Sequence, residues 1–165
     1  MKLHLVNVSE VDEAMTWRLM EWRNSERVSP FFLLERVTED QHRAWLGKNR
    51  LGADALAYVI HADDTPLGMV YFPWIDRNAH SAEIGIYLYE QGFRELRPAS
   101  FAYHRMMEMA VQELGVKCIY ARILDNNEKS IRFHERLGFV RLPEQDSECD
   151  RNGERRQVLM YMKEL

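Results

Sequence analysis

One stretch decides the fold of this chain: residues 116–139, VKCIYARILDNNEKSIRFHERLGF. Its first nine residues are largely apolar and β-branched, which is typical of a buried strand. Asn127 then precedes an amphipathic segment, and Gly138 follows it where a left-handed residue commonly ends a helix. The pattern predicts a strand that leads into a helix over residues 127–137. Ligands of layered α/β proteins bind at such junctions, so we expect the functional site here.

The segments before this stretch extend the predicted sheet. Residues 81–88, SAEIGIYL, are a further predicted strand, and a helix is expected from residue 98 to residue 114. Two apolar runs, residues 55–61 and 67–74, are joined by the turn-forming residues 63–66. We interpret these two runs as a hairpin.

The N-terminal part adds a strand and two helices. Residues 2–8 alternate between apolar and polar, as edge strands do. Ser9 is the expected N-cap of the first helix, and Thr38 with Gln41 predicts a capping box at the start of the second. A short strand over residues 139–142 and a last strand over residues 157–162 complete the order β-α-α-β-β-β-α-β-α-β-β. At 165 residues the chain is predicted to be one mixed α/β domain spanning residues 1–165.

Composition and charge argue against several classes of protein. Hydrophobic residues make up 46% and charged residues 29% of the chain, and no apolar run approaches the ~20 residues that span a bilayer. The formal net charge of -4 argues against a nucleic-acid partner. Residues 1–8 lack a signal-peptide pattern, and Cys118 and Cys149 lack CxxC spacing. We therefore expect a cytoplasmic protein with no membrane partner.

Several common catalytic motifs are absent from the sequence. It contains no GxSxG elbow, no GxxxxGK[ST] phosphate loop, no GxGxxG after a strand and no HExxH. The six histidines show no paired spacing with cysteine or carboxylate, so we expect no metal site.

Residues 81–139 resemble the core of the GCN5-related N-acetyltransferase (GNAT) superfamily. The C-terminal signature of that family has an asparagine, a small residue three positions on, and an aromatic pair before Leu-Gly-Phe. The matching residues here are Asn127, Ser130, Phe133, His134, Leu137, Gly138 and Phe139. The resemblance implies a GNAT fold: a mixed, mostly antiparallel central sheet flanked by helices, with splayed central strands that form an acetyl-CoA cleft. It also implies that acetyl-CoA is the acetyl donor.

The N-terminal half carries a second, finer resemblance. EWRNSERV (residues 21–28), the pair Phe31-Phe32 and TEDQHRAWL (residues 38–46) are similar to the amino-sugar N-acetyltransferases of the pseudaminic acid pathway. Those enzymes acetylate a UDP-linked 4-amino-4,6-dideoxy sugar used in flagellin glycosylation. The region resembles ribosomal-protein N-terminal acetyltransferases less closely. A non-catalytic acyl-CoA-binding module is a third alternative, and the oligomeric state is open, with a homodimer among the alternatives.

Acetyl transfer to an amine needs a neutral amine and a proton for the departing thiolate. Because an alkyl amine has a pKa near ~10.4, a base must take its proton at neutral pH, and Glu83 is the predicted base. In most of the family a tyrosine on the last helix protonates the thiolate. His134 stands at that position and is the predicted acid, as an imidazolium of unperturbed pKa ~6.5. The alternative for His134 is a hydrogen-bonded packing residue.

The resemblance also implies contacts to the cofactor's pantetheine arm. Main-chain groups of one splayed strand are expected to bind the arm, and the side chain of Asn127 is expected to hold it from the other side. For Tyr87, simple sheet packing is the alternative. The expected pantetheine-binding residues are Ile86, Tyr87, Leu88, Asn127, Ser130 and Phe133.

The expected pyrophosphate loop departs from the family pattern. The family shows [QR]xxGx[GA] there, whereas this chain has GFRELRPASF, residues 92–101. A proline suits the first helical position and leaves the amides of Ala99, Ser100 and Phe101 free to meet phosphate. Arg94 and Arg97 are expected to supply positive charge. The alternative is a solvated arginine pair.

The expected acceptor-binding residues are Trp22, Arg23, Asn24 and Trp74. An aromatic beside an arginine suits a base stacked next to a diphosphate. Trp22 also fits the buried stripe of the first helix, so core packing is its alternative. Arg23 lies just off that stripe.

Overall fold

The computed structural model describes all 165 residues, which form ten strands and four α-helices. In chain order these are β1 (Leu3–Asn7), α1 (Glu13–Arg23), α2 (Glu39–Leu51), β2 (Leu56–Ala62), β3 (Thr65–Phe72), β4 (Ile75–Asp76), β5 (Ser81–Glu83), β6 (Gly85–Leu88), α3 (Pro98–Gln112), β7 (Cys118–Leu124), α4 (Glu128–Arg136), β8 (Val140–Arg141), β9 (Ser147–Arg151) and β10 (Glu154–Glu164).

Two sheets carry the fold. The first is antiparallel, with strand order β1-β2-β3-β6, and β1 forms its edge as expected. The second has the order β4-β5-β7-β10-β8, and β9 adds to β10. The pairing of β5 with β7 is parallel, and every other pairing is antiparallel. This mixed, mostly antiparallel arrangement flanked by helices confirms the predicted fold class.

The chain passes from one sheet to the other at Ile84. Its amide donates to the carbonyl of Tyr120 on β7 at 2.8 Å. From Gly85 onward the same run of chain pairs with β3 instead. The strands β6 and β7 therefore diverge after residue 84, and a cleft opens between them.

Helix starts follow the capping chemistry of the sequence, with one correction. The capping box at α2 is confirmed, because Thr38 Oγ1 accepts the amide of Gln41 and Gln41 Oε1 accepts that of Thr38. Ser9 does not cap α1. Asp12 does, since its carboxylate accepts the amide of Met15 at 2.8 Å, and a negative charge is favoured at a helix N-terminus.

The charged stretch before the last strand also differs from the expectation. Residues 143–156 contain β9 and the start of β10, which form a hairpin. Its two-residue turn is Asn152-Gly153, with φ of 52° and 80°. Asn-Gly is a strong signal for a tight hairpin turn, because both residues tolerate positive φ. The last strand is therefore longer than residues 157–162.

Two apolar clusters fill the interior. The larger one packs α3, through Tyr103, Met106 and Ala110, against both sheets. The smaller one packs α1, through Leu19 and Trp22, against the first sheet. No helix in the structure is long and apolar enough to span a membrane.

Candidate active site

A cavity of about 530 Å³ lies at the divergence of β6 and β7. Apolar side chains form most of its wall. The ionisable or phenolic residues that line it are Arg23, His42, Tyr71, Glu83, Tyr87, Tyr103, Arg122 and His134. The point where β6 and β7 begin to diverge and the first turns of α4 therefore line one chamber, at the strand–helix junction that the sequence predicts.

Glu83 forms the charged centre of this chamber. It is 5% exposed, and its carboxylate accepts two hydrogen bonds from Arg122, one from Nε and one from Nη2 at 3.2 Å. The hydrogen bond to Glu83 raises the pKa of Arg122. A carboxylate offers about four acceptor sites, so Glu83 can still accept a hydrogen bond from an amine.

His134 also lines the chamber and is 3% exposed. Its Nδ1 is 2.7 Å from the carbonyl oxygen of Ser130, and its Nε2 is 2.7 Å from Tyr103 Oη. The carbonyl can only accept, so Nδ1 carries the proton and the phenol donates to Nε2. Both ring nitrogens are thus engaged within the protein.

The expected charge state of His134 is wrong. Burial lowers the pKa of His134 to about 4, and the hydrogen bond to the Ser130 carbonyl only partly opposes it. An imidazolium is therefore absent at neutral pH. His134 is a neutral, hydrogen-bonded residue.

This depressed pKa predicts a loss of stability in acid. An unfolded histidine protonates near pH 6.5, whereas folded His134 stays neutral down to about pH 4. The unfolded state therefore binds more protons in that window, and the free energy of unfolding should fall by about 3 kcal/mol as pH drops through it. Urea titrations at several pH values measure this. His134→Gln should lack this component, and equal slopes in both proteins would contradict it.

The part of the cleft that is expected to bind the pantetheine arm is formed by β6 and the start of α4. The amide of Tyr89 bonds to the Leu67 carbonyl, and the antiparallel alternation then directs the amides of Ile86 and Leu88 away from β3 toward the cleft. The same alternation turns the amide of Tyr87 to β3. Tyr87 therefore meets the cavity through its ring, which corrects the main-chain contact expected for it.

The first turn of α4 also faces the cavity. Asn127 caps the helix, because its Oδ1 accepts the amide of Ser130 at 3.3 Å, and this leaves the Asn127 side-chain amide group as a donor. Asn127 and Ser130 both line the cavity. Phe133 does not line it and instead packs edge-on against Tyr103, with ring centroids 5.0 Å apart.

The loop before α3 keeps part of its expected geometry. Arg97 has φ of 53° and is the N-cap residue, and Pro98 begins the helix. The amide of Phe101 donates to the Arg97 carbonyl at 3.1 Å, so it is not free as expected. No backbone bond engages the amides of Ala99 and Ser100. Arg94 and Arg97 are exposed and form no ion pair within the chain.

Arg23 occupies the other end of the chamber. Its Nη2 donates to the carbonyl of Leu34, its guanidinium lies 3.9 Å from the ring centroid of Phe32, and its buried Nη1 has no hydrogen-bond partner. Burial lowers the pKa of Arg23. A buried cation with one unmade hydrogen bond is an unusual feature in a native structure.

A loop over residues 28–37 covers this end of the chamber. Asn24 holds the loop through two hydrogen bonds with the main chain of Val37, at 2.7 and 2.8 Å. Arg151 on β9 holds it from outside by donating to the carbonyls of Ser29, at 2.8 Å, and Phe32.

Three residues expected to bind the acceptor lie elsewhere. Trp22 is 3% exposed in the smaller core cluster and stacks on Tyr89, so its packing alternative holds. Asn24 fixes the covering loop. Trp74 lies near Tyr120, outside the cavity wall. Of the expected four, only Arg23 lines the chamber.

Sequence reasoning missed Arg122 and Tyr103. Arg122 is the one charged residue within the otherwise apolar strand β7, and a charge at such a position indicates a nearby partner of opposite charge. Tyr103 lies on α3, 31 residues before His134, and no local pattern connects the two. Within the structure, no group of three or more His, Cys, Asp or Glu side chains could hold a metal ion.

Splayed strands with outward amides, a helix start facing them and a buried carboxylate suit the binding of a pantetheine thioester and the transfer of its acyl group. The chain belongs to the GNAT acetyltransferase family, because the family profile described as an acetyltransferase (GNAT) domain matches residues 2–140. It is thus an N-acetyltransferase domain with acetyl-CoA as the donor.

Solved structures share this fold at low identity. Spermidine N-acetyltransferase from Vibrio cholerae, in complex with CoA and spermine, is 18% identical, with a TM-score of 0.81 and coverage of 98% of this chain and 95% of that one. N-acetyltransferase PseH from Campylobacter jejuni, in complex with acetyl coenzyme A, is 15% identical, with a TM-score of 0.67 and coverage of 99% of both chains.

A third similar structure is RimL, a ribosomal L7/L12 alpha-N-protein acetyltransferase in complex with CoA. It is 19% identical, with a TM-score of 0.78 and coverage of 100% of this chain and 95% of that one. No curated protein matches the chain by sequence. These three proteins are named for different acceptors. Their similarity therefore shows the fold of this chain but does not identify its acceptor.

Proposed function

We propose that this acetyltransferase acetylates the primary amine of a small molecule that also carries negative charge. The first choice is a UDP-linked 4-amino-4,6-dideoxy sugar. The observation that carries this proposal is the charge of the chamber. Its wall holds two arginines, Arg23 and Arg122, and one carboxylate, Glu83, so the fixed side-chain charge is two minus one, or +1.

Arg23 supports the anionic acceptor most directly. Its Nη1 makes no hydrogen bond in the protein, and an acceptor diphosphate or carboxylate would supply one. The aromatic side chains Phe31, Phe32 and Trp45 on the same wall suit a nucleotide base or a sugar face.

The same charge argues against a polyamine. Spermine and spermidine carry several ammonium groups, and each would need a carboxylate or other oxygen ligand in the chamber. Glu83 is the only carboxylate on the wall, and Arg122 already pairs with it. A polyamine is therefore a poor fit despite the similarity to a spermidine acetyltransferase.

In the proposed reaction, Glu83 accepts the proton of the acceptor amine. The neutral amine attacks the thioester carbon, and the amide of Ile86, which points into the cleft, donates to the developing oxyanion. Asn127 and the outward amide of Leu88 orient the pantetheine arm. Arg94, Arg97 and the amides of Ala99 and Ser100 meet the pyrophosphate.

The runner-up acceptor is a protein N-terminal α-amine, which the similarity to RimL supports. The family assignment argues against the third alternative, a non-catalytic acyl-CoA-binding module. The proposal places the protein in the cytoplasm, and the two unpaired cysteines, Cys118 and Cys149, support this.

Two measurements separate these candidates. Acetyl-CoA should raise the melting temperature, because a ligand at a hundredfold excess over Kd adds about 2.7 kcal/mol to the folded state. A melt unmoved by millimolar acetyl-CoA would exclude the cofactor assignment. Thiol release with single amines then assigns the acceptor: turnover with the UDP-amino sugar supports the proposal, turnover only with peptides supports the runner-up, and binding without turnover would contradict a catalytic role.

A further inference from the structure

Tyr71 carries the one phenolic hydroxyl of the chamber wall that has no partner in the protein. The hydroxyls of the other two wall tyrosines, Tyr87 and Tyr103, bond to the Leu19 carbonyl and to His134. Tyr71 is half-buried, and its hydroxyl makes no hydrogen bond within the chain. We infer that this hydroxyl donates to an oxygen on the carbon next to the reacting amine, so that the chamber selects a 1,2-amino alcohol. The inference rests on the proposed function.

Tyr71 lies on the face of the first sheet that belongs to the acceptor end of the chamber. Side chains alternate between the two faces along a strand. On β3, Met69 and Tyr71 pack with the smaller apolar cluster, which contains α1, the helix that ends at Arg23. Val70 on β3 and Ile86 on β6 pack instead with the larger cluster, which contains α3. The Tyr71 ring is therefore on the side of Arg23 and not on the side of α3.

Gly85 fixes the place of the hydroxyl. It is the residue opposite Tyr71 in the β3–β6 ladder, and the ring lies across it. A Cβ atom at residue 85 would stand 2.5 to 2.6 Å from Cζ, Cε2 and Oη of Tyr71, so only glycine leaves room for the ring. Glu83, the proposed base, is two residues earlier, which puts its Cα about 6–7 Å from that of Gly85. An amine at Glu83 then has the substituent on its neighbouring carbon within reach of Tyr71 Oη.

The Tyr71 hydroxyl acts as a donor. Desolvation in the chamber raises its pKa and the carboxylate of Glu83 adds to this, whereas the positive charges of Arg23 and Arg122 oppose it. The phenol therefore keeps its proton at neutral pH. The lone pair of the neutral amine must stay free to attack the thioester, so the amine nitrogen is not the partner of that proton. An oxygen on the adjacent carbon is a suitable acceptor.

Three polar groups of the chamber then bind three features of one acceptor. Arg23 Nη1 binds the anionic group, Glu83 binds the amine, and Tyr71 binds the neighbouring hydroxyl. A UDP-linked 4-amino-4,6-dideoxy sugar has all three features, because its amine on C4 is next to a hydroxyl on C3. Spermidine contains no oxygen and offers Tyr71 no acceptor.

The direct test compares two acceptors that differ in one oxygen: the UDP-linked 4-amino-4,6-dideoxy sugar and its 3-deoxy analogue. The wild type should prefer the sugar with the hydroxyl by roughly tenfold to hundredfold in kcat/KM, because the analogue leaves the Tyr71 hydroxyl unpaired. In Tyr71→Phe the ratio should fall to about one, with KM for acetyl-CoA unchanged. The same ratio in wild type and Tyr71→Phe would overturn the inference.

Two further variants control for the position of the hydroxyl. Gly85→Ala places a methyl group where the Tyr71 ring lies, so it displaces the hydroxyl without removing it, and the ratio should fall. Tyr89→Phe removes a phenolic hydroxyl outside the chamber wall, from a ring that stacks on Trp22, and it should keep the wild-type ratio. A wild-type ratio in Gly85→Ala would contradict the placement of the hydroxyl over residue 85.

The same measurements separate this inference from the proposed function. A wild type that acetylates both sugars with equal kcat/KM overturns the inference and leaves the proposed function standing. A wild type that acetylates neither sugar overturns the first-choice acceptor and the inference with it. If Tyr71→Phe slows both sugars by the same factor, the hydroxyl serves the thioester or the packing of the wall, and the inference is again wrong.

Discussion

Replacing Glu83 by Gln is expected to lower kcat by roughly a hundredfold to ten-thousandfold near neutral pH, the range typical for loss of a general base. Glu83 is the only carboxylate on the chamber wall. The deficit should be largest at low pH, where the acceptor amine is mostly protonated, and should shrink as pH approaches the pKa of that amine. A pH-rate profile of both proteins measures it.

The control for this variant is Arg122→Ala. It removes the same ion pair but leaves the carboxylate, and the Arg122 side chain is 42% exposed, so its loss leaves no large buried gap. If Glu83 acts as the base, Arg122→Ala retains much more activity than Glu83→Gln. Equal losses in the two variants, or an unchanged pH-rate profile in Glu83→Gln, would show that the ion pair matters only for structure.

Arg23→Met should raise KM for an anionic acceptor about tenfold to a hundredfold and leave KM for acetyl-CoA unchanged. Hydrogen bonds to charged groups contribute about 1.5–3 kcal/mol, and each 1.4 kcal/mol is a factor of ten in affinity. The methionine keeps the apolar stem against Phe32 while removing the charge. Initial-rate kinetics with each substrate varied in turn provide the measurement.

Arg23 also holds the covering loop, so two controls are needed. Arg27→Ala removes an exposed arginine one turn farther along that does not line the cavity, and it should have little effect. A neutral amino sugar of the same ring should show the same KM in wild type and Arg23→Met. A similar rise for neutral and anionic acceptors would mean that Arg23 acts on the loop and not on acceptor charge.

Local signals predicted most of the fold. The capping box at Thr38, the hairpin turn at Asp63-Asp64 and the helix stop at Gly138 each specify their own element through residues close in sequence. The start of α1 is ambiguous in the sequence because Ser9 and Asp12 are both good caps, and in the structure Asp12 is the N-cap. The hairpin at Asn152 was missed because its strands are charged and exposed, so they show no apolar alternation.

The site was less predictable because its properties come from long-range packing. The pKa of His134 depends on burial beneath α3, which no residue near His134 in sequence indicates. Tyr103 meets His134 only after α3 packs against α4. Arg23 could be proposed from its place beside the apolar stripe of α1, yet its unpaired Nη1 depends on the loop over residues 28–37.

We propose that the chamber selects an anionic amine for acetylation by acetyl-CoA. The most direct test is a competition in which one reaction holds wild-type protein, acetyl-CoA and equal concentrations of the UDP-linked 4-amino-4,6-dideoxy sugar, spermidine and a peptide with a free N-terminus. Mass spectrometry then measures how much of each is acetylated. The acetyl group should appear first and mostly on the nucleotide sugar. Preferential acetylation of spermidine, whose charge is opposite, would contradict it.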